Sequence, residues 1–143
     1  MVKHHSSGVY PTLAGFCLIA IAICLTRLAY TPIVPSIIDS HWVTKPGAGY
    51  LGAFNMLGYM VGCILTVLVA RITGARLMMR LSLIMAVIGL LMCSWDLGFI
   101  WLAVGRFIAG FAGAALIIHT PPLVLKNINP EKKAVTLGIV FSG

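Results

Sequence analysis

Leu97 to Leu123 reads LGFIWLAVGRFIAGFAGAALIIHTPPL, and one charged residue, Arg106, interrupts an otherwise apolar run. As a helix rising about 1.5 Å per residue, it would reach roughly 40 Å, more than the roughly 30 Å of a bilayer's hydrocarbon core. Small residues recur four apart as Ala109-xxx-Gly113 and Gly110-xxx-Ala114. That spacing lets helix backbones approach closely where lipid supplies no hydrophobic drive between helices. The run is therefore expected to be a transmembrane helix packed against others.

The rest of the chain has the same character. Sixty per cent of its 143 residues are hydrophobic and nine per cent charged, with a mean hydropathy of +1.05. Hydropathy places full spans at about 9–38, 48–70, 77–93 and 97–123, after a polar tail at 1–8. The final stretch, AVTLGIVFSG at 134–143, would rise only about 15 Å as a helix and reads as part of a fifth span. The expected fold is an all-α membrane protein with four full transmembrane helices and part of a fifth.

Basic residues set the expected orientation. Lys3, Arg71, Arg76, Arg80, Lys126, Lys132 and Lys133 fall on one side of these spans and only Lys45 on the other. The positive-inside rule then puts the N-terminus in the cytoplasm, in a plasma or inner membrane. Trp42, Trp95 and Trp101 fall near the outer interface, where aromatic belts lie. The net charge of +7 resides in these connections, so nucleic-acid binding is not expected. Ala20-Ile21-Ala22 resembles a signal cleavage site, but the apolar run continues past it, favouring an uncleaved helix.

Several polar residues stand inside the spans. Arg27 and Arg106 are too deep to snorkel easily, and an arginine at depth must face protein or a cavity. No Asp or Glu lies well inside a full span. Either the counter-charge is on helices beyond this sequence, or it is an anionic substrate held by arginine forks. Tyr30 and Thr31 follow Arg27 at helical offsets, and Pro32 and Pro35 would free backbone carbonyls and act as a hinge. Asn55, Tyr59 and Thr66 form a thin polar stripe on the second span, where Gly58 and Gly62 make a GxxxG face. His119 precedes Thr120, Pro121 and Pro122, which are expected to break the fourth helix and provide a second hinge. A histidine there either caps the helix end or serves in a proton relay.

Other chemistry is not supported. Cys17, Cys24, Cys63 and Cys93 lie in apolar runs without a CxxC pair or clustered histidines, so neither a metal site nor a disulfide framework is expected. The spans lack the paired acids or Ser–His set of an intramembrane hydrolase, and no nucleotide fingerprint or cofactor motif appears.

Two motifs carry a family resemblance. The run RLAYTPIVP at 27–35 and GRFIAGFAGA at 105–114 together resemble the N-terminal part of a major facilitator superfamily transporter, of the uncharacterised YbfB-type branch. The resemblance implies a twelve-helix protein of two six-helix halves, with substrate held between them near the midplane. It makes Arg27, Tyr30, Thr31 and Arg106 cavity candidates, beside Asn55 and Tyr59. The implied function is ion-gradient-driven transport of a small solute by alternating access, with a proton as the coupling ion to test first. This chain would be an N-terminal fragment, inactive without the remaining helices or a partner chain. The family's Asp-Arg pair after helix two is replaced by Ala70-Arg71, which puts the gate latch supported by that Asp in doubt. The alternative is a small non-transporting membrane protein that docks onto a partner through its glycine faces. A homodimeric four-helix exporter fits less well, because the first span carries Arg27 rather than an acid.

Overall fold

The computed structural model describes residues 9–28, 30–125 and 138; the partial fifth span, apart from Gly138, lies outside the described residues. The described chain is helical: α1 (Val9–Ala20), a π-helical stretch (Ile21–Leu28), α2 (Tyr30–Asp39), α3 (Lys45–Thr73), α4 (Ala75–Met92) and α5 (Phe99–Leu125). By length and composition α3, α4 and α5 can each cross a membrane. The first hydrophobic region follows a different course. It is divided by a π-helical stretch that hydropathy alone does not reveal.

Local chemistry places the turns. Three backbone features close α2: the His41 N–H donates to Ile38 O at 3.0 Å, the Trp42 N–H donates to Ile37 O at 3.1 Å, and His41 sits at φ 59°. This is a Schellman ending with histidine in the left-handed position that glycine usually takes. Thr44 then caps α3, its hydroxyl accepting from the Gly47 N–H at 3.3 Å, with Pro46 in the first turn. A single residue, Gly74 at φ 83°, separates α3 from α4. Between α4 and α5, Asp96 Oδ1 accepts from the Gly98 N–H at 3.3 Å, and Trp101 Nε1 donates to Met92 O at 2.9 Å.

Helix α5 is the hub, packing against α3, α4, the π stretch and α1. Paired contacts give the directions. Asn55 meets Arg106 and Thr66 meets His119, so α3 runs parallel to α5. Gly89 lies against Ala109 while Met92 and Cys93 lie against Gly105, and Ile19 packs with Val124 while Ala22 and Thr26 lie against Gly113, so α4 and the segment running from α1 into the π stretch are antiparallel to it. Ala109, Ala112, Ala114, Ala115 and Leu116 are fully buried. By contrast α4 buries Met78, Met79, Ser82, Ala86 and Gly89 and exposes Leu81, Ile84, Val87, Ile88 and Leu91. One face of α4 is available to lipid, as is most of α3.

The approach of α3 to α5 is backbone to backbone. A Cβ on Gly58 would collide with the carbonyl oxygen of Phe107, and a Cβ on Gly110 with that of Asn55. One on Gly62 would lie 2.9 Å from both Phe111 O and Ala114 Cβ. Gly113 faces the π stretch, where a Cβ would lie 2.6 Å from Thr26 Oγ1.

The expected break at Pro121 and Pro122 does not occur. Helix α5 continues through both prolines to Leu125. In a membrane a helix can continue past proline, and here Pro121 and Pro122 leave the carbonyls of Ile117 and Ile118 without the N–H that would close the next turn. His119 therefore lies inside the helix and does not cap its end. On α2, Pro32 falls in the first turn, where no intrahelical N–H bond is made, while Pro35 is interior. Both are exposed.

Two glycine substitutions should change stability in opposite directions. Gly110→Ala forces a methyl into the Asn55 carbonyl and should destabilise the bundle by about 1–3 kcal/mol. A Cβ on Gly52 meets nothing within 4 Å, so Gly52→Ala should stabilise by about 0.5–1 kcal/mol through helix propensity. Unfolding in mixed micelles measures both; equal effects would contradict the close approach.

Candidate functional site

Seven polar or charged side chains are buried among the described residues: Thr26, Asn55, Thr66, Ser82, Arg106, His119 and Thr120. The four hydroxyls each donate to a carbonyl four residues earlier on their own helix: Thr26 to Ala22, Thr66 to Gly62, Ser82 to Met78 and Thr120 to Leu116. They are satisfied locally. Asn55, His119 and Arg106 remain to act between helices.

Asn55 is 3% exposed, and its amide nitrogen donates to Thr26 O at 3.2 Å and to Arg106 O at 2.9 Å. One amide thus ties α3 to both the π stretch and α5. This sets the height of Arg106 against the first hydrophobic region. Farther along the same helix pair, His119 Nε2 lies 3.2 Å from Thr66 O, which fits the tautomer protonated at Nε2.

Arg106 is 4% exposed. Its guanidinium carbon lies 4.0 Å from the centroid of the Tyr30 ring, a cation–π distance. The Tyr30 hydroxyl in turn donates to Ala48 O at 3.0 Å, holding the ring between α2 and α3. Yet Arg106 Nε is buried with no hydrogen-bond partner. The acids among the described residues, Asp39 and Asp96, are both exposed, and neither pairs with Arg106. A buried guanidinium with an unused N–H is a donor awaiting an acceptor.

Of the cavity candidates, the structure brings Tyr30, Asn55 and Arg106 together. Tyr59 is half-buried one turn further along α3 and beside the α3–α5 crossing. Thr31 is exposed. The side chain of Arg27 lies outside the described residues, although its backbone belongs to the π stretch. Thr26 and Ala48 were not legible as partners, because each contributes a backbone carbonyl that every residue type has. A separate cavity of about 530 Å³ opens at the α2–α3 turn, lined by Ile38, His41, Trp42, Val43, Thr44, Gly47 and Phe99.

Residues 19–143 match the family of the uncharacterised MFS-type transporter YbfB, where MFS denotes the major facilitator superfamily. The chain belongs to that family. It is a multi-pass membrane protein of a transporter superfamily, and the resemblance carried by RLAYTPIVP and GRFIAGFAGA is borne out. No solved structure matches the chain.

The Tyr30 ring and its hydroxyl can be separated by substitution. Tyr30→Phe keeps the ring under Arg106 and loses only the bond to Ala48 O, which should cost about 0.6 kcal/mol. Tyr30→Leu also loses the cation–π contact and should cost about 2 kcal/mol more. Unfolding free energies in micelles check this, and equal costs would show that the ring does not carry the guanidinium.

Proposed function

We propose that this bundle is part of a secondary transporter that moves a small anionic solute by alternating access, with a proton gradient as the drive. The observation that carries the reading is Arg106: almost fully buried, seated on Tyr30, with Nε unpartnered and no carboxylate neighbour among the described residues. An arginine at membrane depth costs about 3 kcal/mol on insertion scales. A substrate carboxylate or phosphate would compensate it through charge-assisted hydrogen bonds. Tyr30 and Asn55 position the guanidinium, Tyr30 by its ring and Asn55 by holding the backbone carbonyl of the same residue.

Alternating access fits the division of the first hydrophobic region. Its π stretch follows α1 and packs on α5, and Pro35 lies inside α2; such irregularities often mark functional sites in membrane helices. His119, buried against Thr66 O, is the relay candidate for the coupling proton. The transporting unit in this proposal comprises the described helices together with further helices that form the opposite wall of the cavity. The N-terminus is assigned to the cytoplasm of a plasma or inner membrane, because the α3–α4 turn carries Arg71, Arg76 and Arg80.

The docking alternative loses its basis in the described helices. Gly58, Gly62, Gly110 and Gly113 all face other helices of this chain, so those surfaces are already occupied.

Thermal unfolding with a panel of small carboxylates and phosphates, each beside a neutral isostere, tests the reading. At least one anion should raise the melting temperature by several degrees, and Arg106→Gln should abolish that shift. A neutral solute that stabilises as well as its anionic isostere, or a shift that survives Arg106→Gln, would contradict it.

A further inference from the structure

The α3–α4 turn holds three arginines: Arg71 in the last turn of α3, Arg76 in the first turn of α4, and Arg80 one turn later. All three are exposed. Among the described residues none of their side chains makes an ion pair or hydrogen bond. Asp96 lies beyond the far end of α4, and Asp39 lies before α3 begins. No carboxylate among the described residues is placed to neutralise this corner.

The helical register continues the pattern away from the turn. At about 100° per residue, Arg76 and Arg80 share one face with Ile84, Val87, Ile88 and Leu91. Those four are 57%, 56%, 46% and 50% exposed, while the opposite face of α4 is buried on α5. From Arg80 to Leu91 the helix rises about 16 Å, close to the thickness of one leaflet's hydrocarbon. Two guanidinium groups at the start of a leaflet-long apolar stripe complement a molecule with an anionic head and a hydrocarbon tail.

We propose that this face of α4 is a binding site for an anionic phospholipid, with Arg76 and Arg80 on its phosphate, Arg71 adding charge, and an acyl chain along Ile84, Val87, Ile88 and Leu91. Arginine suits the role because its planar fork meets phosphate oxygens in pairs. The positive-inside bias requires only positive charge in the turn. The site adds preference for one lipid class, a property that can be measured separately from orientation.

Spin-labelled phosphatidylglycerol and phosphatidylcholine, each added to phosphatidylcholine bilayers containing the 143-residue protein, report the preference directly. Phosphatidylglycerol should associate more tightly. Arg76→Gln and Arg80→Gln, each keeping two of the turn's arginines, should each weaken it about fivefold, as about 1 kcal/mol per basic residue implies. Soluble glycerol phosphate should compete poorly, since it lacks the chain that lies on the stripe. In the unmodified protein the preference should also shrink as salt rises, which keeps the test decisive if a variant does not fold. Equal association of the two lipids, an unchanged preference in both variants, a salt-independent preference, or full competition by glycerol phosphate would each overturn the site.

Discussion

The structure depends on how closely α3 and α5 approach. In lipid there is no gain from bringing apolar side chains together, so helices associate through van der Waals contact and polar bonds. Gly58 and Gly110 bring each helix's surface against a backbone carbonyl of the other. At that separation the Asn55 amide reaches across to Arg106 O and Thr26 O. A bulkier α3–α5 crossing would put the α5 acceptor, Arg106 O, out of range. The position of Arg106, and its seat on Tyr30, therefore follow from two missing methyl groups some distance along the helices.

Much of this architecture was legible because hydropathy responds to what a bilayer demands. Long apolar runs, glycines spaced by four and a lone arginine within Leu97–Leu123 each carry a physical meaning that needs no partner. The π stretch at Ile21–Leu28 was not legible, since hydropathy does not distinguish a π from an α helix. Pro121 and Pro122 misled for a related reason: proline's cost in a helix depends on what surrounds it, and α5 continues through both. His41 at φ 59° has no sequence signature, because glycine is the usual residue there.

The site shows the same division. Arg106 and Asn55 stood out as polar residues at depth, but their partners did not, because Thr26, Ala48 and Arg106 itself supply main-chain carbonyls. Tyr30 was singled out by its spacing from Arg27, and it carries a contact with Arg106 that this spacing does not reveal. Its neighbour Thr31, expected on the same face, is exposed.

Arg106 on Tyr30 joins the fold to the proposed transport of an anion, because it holds a cation at depth with one N–H unused. Solid-state NMR of the protein in lipid bilayers, labelled at arginine and tyrosine, measures that contact without a substrate. The Arg106 Cζ should lie about 4.0 Å from the centre of the Tyr30 ring and show the upfield shift of a nucleus above an aromatic face. A separation beyond about 6 Å, outside cation–π range, or an Arg106 guanidinium paired with a carboxylate of the same chain, would contradict the account.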